Sequence, residues 1–211
     1  MNLRTHTKQQ QDAINRYAAL LEEAKIRISS IAGAIGGSTG LPASLVQEFS
    51  YLQLRMLCEL IALGCLTAHG EIIETQAAKL QKEWSADKIL SRLEALHPNF
   101  YPHPVRLTIS PDRFHIDRLE SGFLTKTELI TLYGTCGDRL HRGTLKKLFA
   151  NTQQTKPATF DDIAAWTNKI TLLNQHHIAS FDNLSHFICM LKRSESEDQA
   201  QVALALSPLP S

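Results

Sequence analysis

The sequence predicts a mainly α fold: a helical bundle carrying two β-hairpins that can join into one small antiparallel sheet. Three observations carry this. Apolar residues recur at spacings of three and four over long stretches of the chain, the mark of helices with one buried stripe. Glycine and proline clusters at 36–40 and 97–104 interrupt those stretches, because neither residue continues a helix well. Around 105–117 and again after 185 the apolar period shortens to that of strands.

The first helix is expected over 7–33, where Ile14, Tyr17, Ala18, Leu21, Ala24, Ile28 and Ile31 form one stripe. Gly33 and the run GGSTG end it. Pro42 suits the first turn of a second helix, running to His69, since its missing N–H is not needed there. Leu45, Phe49, Leu52, Met56, Leu60, Leu63 and Leu66 make this the most apolar segment, so it reads as a central helix with several neighbours. Residues 70–82 read as a short helix or connector. Ser85 can cap a helix over Ala86–Leu96 with Ile89, Leu90, Leu93 and Leu96 inward.

HPNFYPHP then forces extended or turn backbone. VRLTI and RFHID around Ser110-Pro111-Asp112 read as a hairpin. Thr125 and Glu128 have the form of a capping box, opening a helix to about Ala150. After a polar stretch, Thr159 or Asp161 starts a helix to about Ala179 with Ile163, Trp166, Ile170 and Leu173 inward. Residues 186–192 and 201–206 are the last two strands, with the charged SESED between them. No internal repeat appears, and the pattern reads as one domain over 1–211, with a helical core at about 8–180 and the C-terminal hairpin at about 185–206.

With 211 residues, 43% apolar and 20% charged, the composition excludes a disordered or fibrous chain. A net charge of +1 gives no global attraction to polyanions. No membrane span is expected, because Met56–Ala68 is too short for one and contains Glu59. The polar first residues lack the apolar core of a signal peptide, and a cytoplasmic location is expected. Cys58, Cys65, Cys136 and Cys189 form no CxxC pair, so buried thiols are expected. Nucleotide-binding glycine loops, HExxH and GxSxG are all missing, which argues against a nucleotide-cofactor enzyme or a serine hydrolase. No metal or cofactor is expected, since no standard ligand spacing occurs. His176 and His177, about 100° apart on a helix, do not converge on one ion.

Two segments stand out. Arg55 and Glu59 lie one turn apart on the most apolar helix, where charges cost several kcal/mol unless paired. They form either a register-fixing ion pair or part of a site between helices. In the second segment Ile130, Gly134, Gly137, His141 and Leu145 share one helical stripe. Each interior glycine costs about 1 kcal/mol, which suggests a close approach by another helix, a partner or a ligand. Arg139, Arg142, Lys146 and Lys147 against Asp138 give this stretch a local charge of +3, suited to a phosphate backbone or simply to a solvated face.

The R-x-x-x-E pair (Arg55, Glu59), followed by a later helix ending in Asp138 to Gly143 with Leu140, His141, Arg142 and Gly143, resembles HEPN-like proteins. These are small helical bundles, often dimeric, of bacterial toxin–antitoxin, abortive-infection and other defence systems. The resemblance covers roughly residues 8–180 in architecture and is specific over the two short motifs. It implies a metal-independent RNase site at a dimer interface, with His141 as general acid/base, Arg142 and Arg139 on the phosphate, and Glu59 with Arg55 in support. In active members the arginine precedes the histidine by more than one helical turn. Here Arg139 stands two residues before His141, about 200° away around a helix. That departure favours a non-catalytic interaction or defence-associated module, a homodimer or a binder of a partner protein, over the RNase alternative. The expected partners therefore include protein and RNA, with no DNA-binding signature and no membrane.

Overall fold

The computed structural model describes residues 7–69, 82–110, 113–140, 159–180, 185–192 and 198–206. They form a helical bundle with one face covered by a five-stranded antiparallel sheet, which is the predicted mainly α class. Helix α1 (Lys8–Ile35) opens with a capping box. The Gln10 N–H donates to Thr7 Oγ1 at 3.1 Å, and the Thr7 N–H donates to Gln10 Oε1 at 3.0 Å, which satisfies two end donors reciprocally. At its other end Gly37 (φ +85°) and Gly40 (φ +62°) take left-handed backbone and turn the chain into α2 (Ala43–Ala68).

Helix α2 is the hub. It packs against α1, α3 (Ala86–Leu96), α4 (Lys126–Leu140), α5 (Phe160–Gln175) and strand β3 (His176–Ser180). Leu54, Leu57, Cys58, Ala62, Cys65 and Ala68 are sealed on its inner faces. Leu45 and Leu52, by contrast, are each 44% exposed, so one flank of this apolar helix has no covering neighbour among the described residues. Among those residues α2 is also the one helix long and apolar enough to cross a membrane, longer than the apolar stretch read from sequence; 61% of its most apolar window is buried inside the bundle.

Helix α3 buries Ile89, Leu90 and Leu93 as expected. Leu96 is the exception, exposed because it is the last residue before the helix opens at His97. Ser85 sits at the cap position, but its hydroxyl donates to the Asp87 carboxylate instead of accepting from the backbone. That bond holds the Asp87 carboxyl below its ordinary range. Helix α4 carries the expected capping box: the Glu128 N–H donates to Thr125 Oγ1 at 3.3 Å and the Thr125 N–H to Glu128 Oε2 at 3.0 Å. Its predicted continuation to Ala150, like the predicted connector at 70–82 for all but its last residue, lies outside the described residues.

Helix α5 is capped by Thr159, whose Oγ1 accepts from the Asp162 N–H at 3.1 Å. Replacing Thr159 with alanine is expected to lower stability by about 1 kcal/mol in urea unfolding, because the Asp162 N–H at the helix start loses its acceptor. The helix ends at Gln175, not at Ala179 as predicted. Residues His176–Ser180 pass without a turn into strand β3, where His177 and Ala179 alternate inward with period two. β3 pairs with β1 (His103–Ser110) on one side and β4 (Ser185–Met190) on the other; β2 (Arg113–Arg118) and β5 (Gln201–Leu206) complete the order β2-β1-β3-β4-β5. The two hairpins thus join into one sheet through a strand that the helical periodicity concealed. The main core surrounds α2, and a smaller one, with Tyr17, Leu21, Ala179, Phe187 and Cys189, seals the sheet onto α1.

Candidate functional site

Helices α2 and α4 run antiparallel, because the pairs Arg55–Tyr133 and Cys58–Leu129 progress in opposite directions along the two. On their shared seam Arg55 meets three groups. Its Nε lies 3.4 Å from Glu59 Oε1, closing the i,i+4 ion pair. Its Nη2 donates to Tyr133 Oη at 2.8 Å, and the Tyr133 hydroxyl in turn donates to Glu59 Oε1 at 3.1 Å. The guanidinium carbon also stands 4.2 Å from the centre of the Tyr133 ring, within reach of a cation–π attraction. Every strong polar group of the trio has a partner inside it.

The two glycines of α4 have different surroundings. A Cβ at Gly137 would stand 3.4 Å from Arg55 Nη1, an ordinary van der Waals contact, so the guanidinium lies against this glycine without requiring its missing side chain. Gly134 is different. A Cβ there would meet nothing within 4 Å, and the residue is exposed. Ile130, one turn earlier on the same stripe, is 40% exposed. Arg139 is directed at α2 as well, its guanidinium carbon 5.8 Å from the centre of the Tyr51 ring.

Burial keeps the hydroxyl and the thiols of the seam in their neutral forms. Burial raises the Tyr133 hydroxyl, with the Glu59 charge adding to the rise. Burial also pushes the neighbouring Cys136 thiol up to about 12, although Arg55 opposes the shift. The Cys58 thiol is likewise raised by burial, so neither cysteine offers a thiolate near neutrality. All four cysteines are free and buried, as expected.

Of the predicted site residues, Arg55 and Glu59 are brought together, and Arg139 shares their seam one to two turns along. His141 and Arg142 lie outside the described residues, as do Leu145, Lys146 and Lys147. Tyr133 is the member that sequence reasoning missed. Its one signal was position: an aromatic residue one turn before Gly137 on a helix facing α2. A surface cleft of about 600 Å³ lies elsewhere, between α1 and the following turn, lined in part by Lys25, Ser29, Ser30, Ser38 and Thr39. None of the predicted site residues borders it, and Lys25 is occupied by Glu22 at 3.0 Å and by Asp198. Among the described residues no three His, Cys, Asp or Glu side chains gather as a metal set. The chain matches no family model, no curated protein and no solved structure.

Proposed function

We propose that this chain is a non-catalytic interaction module, built on a helical scaffold similar to HEPN-like proteins, that docks a second copy of itself on the outer face of α4. The observation that carries this reading is Gly134. A glycine in mid-helix costs about 1 kcal/mol, and no contact within the described chain makes use of its missing side chain. A helix from outside can approach the backbone closely there. Ile130, one turn before it on the same helix and 40% exposed, adds apolar surface beside it. The mutual contacts of Arg55, Glu59 and Tyr133 support a structural role beneath that surface, since each of the three side chains is held by another of them.

Gly134→Ala separates the intramolecular from the intermolecular role. It is expected to raise the melting temperature of the dilute monomer by about 2–4 °C, since helix propensity improves and nothing is obstructed. A fall in that melting temperature would show that Gly134 serves the monomer itself.

The RNase reading draws on one observation: two arginines, Arg55 and Arg139, face the same α2–α4 seam. It predicts metal-independent cleavage of RNA that His141→Ala abolishes with melting unchanged, because histidine can exchange protons near neutrality. Wild-type protein without cleavage activity leaves the interaction reading standing.

A further inference from the structure

Helices α2 and α3 end side by side on two histidines. His69 is the C-terminal cap of α2 and His97 that of α3, and their ring centres lie 5.0 Å apart with the planes tilted by 47°. His69 Nδ1 is 2.7 Å from the Cys65 carbonyl oxygen. A carbonyl only accepts, so Nδ1 carries the proton and Nε2 presents a bare lone pair. That Nε2 is buried without a hydrogen-bond partner, and so is His97 Nδ1. Two orphaned nitrogens on adjacent rings are unusual, because each buried unpaired polar atom costs about 1–3 kcal/mol.

We propose that His69 and His97 are the protein ligands of a site for one borderline transition-metal dication of the zinc type, bound through His69 Nε2 and His97 Nδ1, with water completing the coordination. Several features fit that occupant. Zinc–nitrogen bonds of about 2.0–2.1 Å in tetrahedral geometry place two imidazole centres roughly 5 Å apart. Both rings sit at helix C-termini, whose unpaired carbonyls concentrate negative potential that favours a cation. His69 is 1% exposed, whereas His97 is only partly buried. The bound ion would tie the ends of α2 and α3 together. This site is remote in role from the α4 face and does not depend on the reading given for it.

The test is a titration of the full chain, stripped with a chelator, with Zn²⁺ and with Co²⁺ as a spectroscopic probe. A single equivalent is expected to bind, with the visible absorption of imidazole-ligated cobalt and a rise in melting temperature. His97→Gln, at the partly exposed partner, is expected to keep its far-ultraviolet circular dichroism and to weaken zinc binding at least as much as loss of a supporting group does, about tenfold. His69→Ala should do the same, and His115→Ala on the exposed hairpin should bind zinc like the wild type. Equal zinc affinity in His97→Gln and wild type overturns the proposal. So does a wild type whose melting temperature and cobalt spectrum do not respond to metal, the result expected if a water molecule alone bridges the two rings.

Discussion

Acidification from pH 7 towards pH 4 is expected to cost the metal-free protein roughly 3 kcal/mol of stability for each of two buried histidines, His69 and His177. Both are 1% exposed. Burial is the main cause that lowers each imidazole from 6.5 to about 4. His177 accepts or donates one hydrogen bond, at 2.8 Å to the Tyr17 hydroxyl, within the small core between α1 and the sheet. In the unfolded chain both rings take a proton as the pH falls through 6.5, whereas the folded rings wait until about 4. Protons therefore bind the unfolded state first, and the contribution is complete above pH 6.5 and lost progressively as the pH falls to 4. His103 and His176, also lowered by partial burial, act in the same direction. The carboxyls of Glu22 and Glu128, held below 4.5 by hydrogen bonds, lose their contribution mainly as the pH falls through and below 4.5, at the acid end of this window. Urea unfolding at half-unit steps from pH 7 to 4.5 isolates the histidines. A stability constant across that range would contradict the burial assigned to them, and His177→Gln should flatten the profile by about half.

Phe187→Ala is expected to cost about 3–5 kcal/mol, a large share of the 5–15 kcal/mol that stabilises a typical domain. Phe187 is fully buried on β4 and meets the Tyr17 ring edge-on, with centres 6.0 Å apart. Its loss opens a cavity where the sheet is sealed onto α1, at the smaller of the two cores, which has fewer neighbours to collapse into it. Phe187→Leu, which keeps most of the volume, should lose much less. A Phe187→Ala variant within 1 kcal/mol of wild type in denaturant unfolding would mean that the sheet is not anchored there.

Local signals were legible in the sequence, and pairings between distant segments were not. The capping box of Thr125 and Glu128 and the ion pair of Arg55 and Glu59 lie within one helical turn, so spacing alone brings their side chains together. The β1–β2 hairpin was equally visible, because alternation and turn residues are local. Tyr133 completes the seam from a position 74 residues beyond Glu59, and no periodicity links the two. The same holds for His69 and His97, whose neighbourhood arises from where two helices happen to end. Strand β3 failed for a different reason. His177 falls one turn after Leu173 on the stripe of α5, so the helical spacing runs on past Gln175, and only pairing with β1 and β4 on both sides decides for the strand.

Sedimentation equilibrium of the wild type beside Gly134→Leu, over a wide range of protein concentration, tests the central claim most directly. Open space around Gly134 lets a leucine side chain stand outward without disturbing the fold. The account predicts a wild type that dimerises with concentration and a Gly134→Leu variant that stays monomeric with an undiminished melting temperature. A wild type that is monomeric at every concentration, or a dimer that Gly134→Leu leaves intact, would contradict it.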